Sequence, residues 1–235
     1  MFMPGLLYGV NLAPNCYAQW HLDESTGTDI ADSSGNARDG TTTGSPTWEA
    51  GKLNNCLLFN GSTQYATFGN IAAFERTDSF SLECWFRCNV AATTGYVISK
   101  MNAAVVGYGL ALIGSAVRMG IWGTDGPFAQ GFTRITTPTY ADGNWHHVIA
   151  TYNGNSAVSG VEIWVDGAQP ATTTAGTTPI PTSIVTTQAL QICGRTGLEV
   201  LFNRNIDEVV IYNKVLTRQD VLFRYNGGFG TENLN

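Results

Sequence analysis

The sequence predicts an all-β fold, a sandwich of two antiparallel sheets with one short helix near the C-terminus. Three observations carry this expectation. Short runs rich in β-branched and aromatic residues recur along the chain, separated by Gly, Asn and Asp turns. The composition suits strands joined by tight turns: 27 glycines, 13% charged residues and only three lysines (Lys52, Lys100 and Lys214). The run Trp145 to Tyr152, opened by the turn Asp142-Gly143-Asn144, is answered by Val161 to Val165. The second run stops at Asp166-Gly167, a pair that tolerates the two positive φ angles of a type I′ hairpin. Two such strands bury little alone and require a larger sheet around them.

In chain order, Tyr17 to Leu22 reads as a strand. A polar loop from Asp23 to Gly40 follows, dense in residues that bond their own backbone. Cys56 to Gly61 is a short strand ending on a turn pair, and Gln64 to Phe68 continues beyond it. Phe80 to Arg87 alternates, placing Phe80, Leu82, Cys84 and Phe86 on one side. Tyr96–Ser99, Gly109–Leu112 and Val117–Trp122 are further strands. Phe128 to Pro138 is a Thr-rich segment without a clear partner, and Ala171 to Thr187 reads as a Thr/Pro-rich surface loop. Leu190–Gly194 and Asn205–Tyr212 are the last strands. The helix follows, with Thr217 as N-cap, Asp220 closing a capping box and Gly227-Gly228 ending it. Val221, Leu222 and Tyr225 form its apolar stripe.

The 235 residues show no composition break or repeat, so one domain is expected over residues 17–235, preceded by an apolar arm over residues 1–16 that is a candidate anchor. The net charge of −6 and the lack of a basic cluster exclude a nucleic-acid surface. No stretch reaches the length of a membrane span. The N-terminus lacks the features of a secretion signal, with no basic residue before Arg38 and Pro4-Gly5 interrupting the apolar run. The five cysteines (Cys16, Cys56, Cys84, Cys88 and Cys193) lack metal-ligand spacing. They read as small buried hydrophobes, with a disulfide between Cys16 and another left open.

Several pieces, in their order, resemble the laminin-G-like group of the concanavalin-A-like lectin/glucanase superfamily. They are Trp20-His21-Leu22-Asp23-Glu24, Asp32-Ser33-Ser34-Gly35-Asn36, Leu58-Phe59-Asn60-Gly61, Phe80-Ser81-Leu82-Glu83-Cys84-Trp85, Asp142-Gly143-Asn144-Trp145-His146-His147-Val148, Trp164-Val165-Asp166-Gly167 and Ile206-Asp207-Glu208-Val209, followed by the helix Leu216 to Tyr225. The resemblance covers residues 17–228. It implies a jelly-roll sandwich, often calcium-bearing and often binding carbohydrate or protein on a sheet face or loop rim.

Glucanases of this superfamily carry two glutamates and an aspartate on one strand, and retaining glycosidases need carboxyls about 5 Å apart. No strand here has that pattern. Glu162 stands alone, adjacent Asp207 and Glu208 are expected on opposite faces, as are His146 and His147, and no nucleophile motif is present. No enzyme is expected. For calcium, hard oxygen ligands crowd the loop at Asp32, Ser34, Asn36 and Asp39. The resemblance implies Asp207 as a completing ligand. The other reading is a loop whose side chains bond its own backbone, and Asn60 stands where many relatives have aspartate. For carbohydrate, the candidate stacking platforms are Trp122, Trp48, Tyr108 and Trp85, with Asp125 beside Trp122 in the turn Gly123-Thr124-Asp125-Gly126.

Three functions compete. The first is a virion surface component, a phage capsid-decoration or tail protein with lectin-like adhesion. Its partners would be neighbouring virion proteins and host-surface glycans, and it would sit in the particle as a homo-oligomer. The second is a secreted, extracellular carbohydrate-binding module, and the third a glycoside hydrolase. The N-terminus favours the first, because virion proteins leave the cell with the particle and need no export signal.

Overall fold

The computed structural model describes residues 9–90, 93–124, 130–176, 179–196 and 202–235. Its strands in chain order are β1 (Cys16–Trp20), β2 (Asp29–Ile30), β3 (Gly40–Thr43), β4 (Thr47–Ala50), β5 (Asn55–Asn60), β6 (Tyr65–Thr67), β7 (Phe80–Arg87) and β8 (Gly95–Met101). They continue with β9 (Gly107–Ile113), β10 (Ala116–Trp122), β11 (Gly131–Thr136), β12 (Trp145–Tyr152), β13 (Val161–Val165), β14 (Thr172–Gly176), β15 (Gln191–Ile192) and β16 (Asn203–Tyr212), before helix α1 (Arg218–Tyr225).

These strands form the two antiparallel sheets expected. A seven-stranded sheet runs β13-β12-β7-β16-β5-β4, with β1 also paired to β16, and a nine-stranded sheet runs β14-β11-β10-β9-β8-β15-β6-β3-β2. The main core lies between them. Phe80, Leu82, Cys84 and Phe86 of β7 face Tyr108, Leu110 and Leu112 of β9 and Met119 and Ile121 of β10 across the sandwich. The alternation read along β7 thus places its inward set correctly.

Three short strands, β2 to β4, lie within or just after the stretch read as loop, and β14 lies inside the Thr/Pro-rich segment. Polar Thr runs such as Thr41-Thr42-Thr43 and Thr172-Thr173-Thr174 carry little hydrophobic period, so pairing with a neighbour decides their state. The soft segment before Pro138 becomes β11, paired between β10 and β14. The hairpin turn forms as expected: Asp166 and Gly167 have φ of 52° and 75°, and Val165 and Ala168 exchange both backbone hydrogen bonds.

The outer face of the seven-stranded sheet is covered by α1. Thr217 accepts from the Asp220 N–H while Asp220 accepts from the Thr217 N–H, completing the capping box, and Asn226 ends the helix in the left-handed region. Val221 and Arg224 are its buried positions, together with the capping Asp220. Arg224 therefore joins the buried side in place of part of the expected Leu222/Tyr225 stripe. Val10, Leu12 and Cys16 pack in the same layer with Ile149, Trp164, Val210 and Tyr212. The Leu12 N–H donates to the Leu234 carbonyl at 2.6 Å. The described part of the expected arm is thus built into this outer layer, whereas residues 1–8 lie outside the described residues. All five cysteines are buried free thiols. Among the described residues, no helix is long and apolar enough to cross a membrane.

Candidate functional site

Under α1 sits a buried polar cluster. On β7, residues alternating with the core set point outward, and Glu83 among them is fully buried. Its carboxylate accepts from Nε2 of His147 on β12 (2.9 Å), from the hydroxyl of Tyr212 on β16 (2.7 Å) and from Nε of Arg224 on α1 (2.9 and 3.1 Å). Burial works against the charged carboxylate. The Arg224 guanidinium and the hydrogen bond from His147 outweigh it and hold Glu83 at about 2. Every oxygen is engaged and no solvent reaches it, so the cluster is a clasp for the helix with no access for a ligand. His146, as expected, points the other way. Its ring lies 5.8 Å from the ring of inward-facing Phe86 and bridges Asp142 and Asp166.

A pair of buried acids lies at a bulge in β16. The register against β7 shifts between Asp207 and Val210, and Glu208 has φ of 50°. The bulge corrects the expectation that Asp207 and Glu208 face opposite sides. Asp207 accepts from the backbone N–H groups of Lys52 (2.7 Å) and Leu53 (3.0 Å), and Glu208 reaches His21 at 3.0 Å and feels the charge of Arg224. Burial pushes Asp207 up to about 8 against those N–H bonds.

Beyond the helix, the same sheet face is open. One row across it reads Trp145 (β12), Arg87 (β7), Asn205 (β16) and Leu58 (β5), each paired with the next. There a groove of about 370 Å³ is lined by Glu49, Leu58, Arg87, Asn89, Arg204 and Asn205. That volume is within the range of small-molecule sites, about 300–1,000 Å³. Its polar groups converge. Glu49 accepts from Nη2 of Arg87 (3.0 Å) and from the Asn205 amide (2.6 Å), and Nε of Arg204 donates to Asn89 (2.8 Å). The Arg87 guanidinium lies 5.1 Å from the half-buried Trp145 ring. Arg87 and Glu49 are each about one-third exposed, so their pairing is worth at most about 1 kcal/mol, and hydroxyl groups can compete for it. A carboxylate, two amides and two guanidiniums beside an indole are a hydrogen-bonding set for hydroxyls with one apolar wall.

The sequence-predicted platforms fall elsewhere. Tyr108 is fully buried, donates to the Ala72 carbonyl at 2.7 Å and packs on Phe80, so it is a core residue and no platform. Trp122 is 6% exposed and lies against the outer face of the nine-stranded sheet. The reason is glycine: a Cβ on Gly120 or Gly131 would come within 2.0 or 2.1 Å of the indole, so both positions are hollowed for it. Trp85 is buried beside His147 and Tyr225. Trp48 is half-buried, its indole N–H donating to the Gly27 carbonyl at 3.2 Å. Asp125 lies outside the described residues.

The loop residues Asp32, Ser34, Asn36 and Asp39 do come together, but on one another. Asp32 accepts from the N–H groups of Gln19, Ser34 and Arg38 and from the Ser34 hydroxyl. Asp39 accepts from the Asp32 N–H, and the Asn36 amide donates to the Cys16 and Tyr17 carbonyls. Burial opposes the Asp32 carboxylate, and these hydrogen bonds hold it below its ordinary value all the same. Asp207 does not join the loop. Among the described residues, no three His, Cys, Asp or Glu side chains gather as a metal-ligand cluster.

Two antiparallel sheets with a helix clasped to the back of one define a lectin-type β-sandwich. The chain belongs to the concanavalin A-like lectin/glucanases superfamily, whose laminin-G model matches residues 60–222. Among solved structures it is similar to domain 4 of AbnA, an extracellular arabinanase from Geobacillus stearothermophilus, in complex with arabinotriose. The TM-score is 0.68 at 18% identity, covering 92% of this chain and 98% of that one. It is also similar to the binding domain of Paraclostridial Mosquitocidal Protein 1 (TM-score 0.73, 14% identity, 92% of this chain and 53% of that one). The botulinum neurotoxin serotype G binding domain is a further match (TM-score 0.69, 13% identity, 90% and 50%). This chain spans about half the length of the two toxin binding domains. No curated protein matches it.

Proposed function

We propose that this chain is a non-catalytic carbohydrate-binding sandwich that displays its site at a surface. The observation that carries the reading is the open groove, where Arg87, Glu49, Asn205 and Arg204 converge beside Trp145. Hydroxyls on a saccharide accept from the guanidiniums and amides and donate to the carboxylate, while a sugar face covers the indole. The full-length likeness to an arabinanase domain seen with arabinotriose supports this ligand class. A glycan array tests it, with arabinotriose included. Binding lost by at least tenfold on Trp145→Ala and on Glu49→Gln supports the groove, and an array without any bound glycan refutes it.

The finer reading is display on a phage virion, as a capsid-decoration or tail component present in several copies, with host-surface glycans as the target. It is supported by five buried free thiols, because a chain that keeps all its cysteines reduced suits folding in a reducing cytoplasm before release with a particle. A secreted carbohydrate-binding module is the alternative. Immunogold labelling of purified particles separates them: labelled capsids or tails support display, and label confined to culture supernatant refutes it.

A further inference from the structure

The outer face of the nine-stranded sheet carries a pair of positive charges that the fold leaves unexplained. Arg118 rises from the middle of β10 and Arg195 from the segment after β15. Their Cζ atoms lie 5.7 and 5.6 Å from the centroid of one ring, Tyr96, and Arg118 also lies 5.5 Å from Trp122. Both rings are seated by glycine. A Cβ on Gly109 would meet the Tyr96 ring at 2.8 Å, and Gly120 and Gly131 make room for Trp122. Tyr96, Met101, Val105, Ala111 and Trp122 form a buried apolar cluster of their own, separate from the main core. The guanidiniums are therefore set on a rigid aromatic floor.

Most of their hydrogen-bonding capacity is unmet among the described residues. Nη2 of Arg118 donates to the Tyr96 hydroxyl at 3.2 Å. Nε of Arg118, and both Nε and Nη2 of Arg195, are buried without a hydrogen-bond partner among the described residues, and Arg195 is only 5% exposed. Neither arginine makes a salt bridge among those residues. Burial, with the charge of Arg195 adding to it, holds Arg118 below its usual value despite the help of Tyr96. Two neighbouring cations with desolvated, idle donors are costly, and attraction to an aromatic face recovers only part of that cost. An oxyanion approaching over Arg118, the more exposed of the two, supplies what is missing, because planar guanidinium forks match carboxylate and sulfate geometry.

We propose that Arg118 and Arg195, held against Tyr96 and Trp122, form a subsite for an oxyanion carried on a saccharide, a carboxylate or a sulfate. The inference deepens the carbohydrate-binding reading and rests on it, but it uses the opposite sheet from the groove. The competing account is internal: Asp125 and Glu199, close in sequence to the two arginines, are carboxylates of this chain that could pair with them.

Calorimetric titration of the full chain tests this with trigalacturonate, a sulfated heparin tetrasaccharide and neutral galactotriose, on wild type, Arg118→Met and Arg195→Met. The proposal expects at least one acidic probe to bind at least tenfold more tightly than the neutral one. Each substitution should reduce that affinity to the neutral level, with the melting temperature unchanged or raised, since an uncompensated buried charge has been removed. Which acidic probe binds tells carboxylate from sulfate. A melting temperature lowered by several degrees in both variants, with no acidic preference in wild type, assigns the arginines to internal ion pairs and overturns the proposal. Equal binding of acidic and neutral probes overturns it while leaving carbohydrate binding intact. Binding of no saccharide, here or on the array, overturns both.

Discussion

Replacing Arg224 by methionine tests the clasp that holds α1 on the sheet. Arg224 and Glu83 are each 1% exposed at the side chain, and the guanidinium Nε lies 2.9 Å from the carboxylate. Methionine keeps most of the volume and removes the charge, so Glu83 is left ionised in a dry site with His147 and Tyr212 alone. Deleting one partner of a buried pair costs about 3–5 kcal/mol. For a chain of this size, each kcal/mol lowers the melting temperature by roughly 2–4 °C, so a fall of roughly 6–20 °C is expected. Replacing both partners, Glu83→Leu with Arg224→Met, removes the stranded charge and should recover more than half of the loss, because an apolar pair of similar volume is often neutral. Urea titration followed by circular dichroism measures both variants. An Arg224→Met protein within 1 kcal/mol of wild type would show that the guanidinium does not hold Glu83 in its charged form, and the reasoning would fail.

Two further outcomes follow from other polar contacts of the domain. His146 and His21 are both raised above their ordinary value: burial opposes this, but the hydrogen bonds they donate to Asp166 and Asp142, and to Glu208, outweigh it. Their contribution is complete below pH 6.5 and is lost as pH rises through the folded values, and buried Asp207, raised to about 8, acts in the same direction. The melting temperature should therefore be lower at pH 8.5 than at pH 6, and His146→Gln should flatten part of that slope; a wild-type profile level over this window would contradict it. Asp32→Ala strips an acceptor from three backbone N–H groups and should cost about 2 kcal/mol, equally in calcium and in EDTA. A loss seen only in calcium would instead make Asp32 a metal ligand.

How far the fold was legible depended on the strength of the local pattern. Phe80 to Arg87 was readable to the residue, because Phe80, Leu82, Cys84 and Phe86 alternate with Ser81, Glu83 and Arg87, Trp85 being the one large ring on the outward side. The capping box was equally readable, being complete within four residues. β14 and β2 to β4 were not, since threonine favours strands only where a neighbour offers a pleated surface. The site was less visible than the fold. Glu83 looks like an exposed polar position on an amphipathic strand, and its partner lies 141 residues away. The groove depends on registers that bring Arg87 against Asn205 and Trp145. Trp122 reads as a platform because the turn Gly123-Thr124-Asp125-Gly126 lies beside it, but the glycines that recess its ring belong to its own and the adjoining strand and are meaningful only once those strands pair.

The bond from Leu12 to Leu234, with the Gln19 amide donating to the Glu232 carbonyl and Arg224 to that of Asn233, fastens both ends of the domain to its helix-covered side. A scaffold joined to the chain just beyond Leu234 therefore meets the molecule at its back. The broad nine-stranded sheet then lies on the opposite side of the sandwich from that attachment, its outer face left clear of the junction.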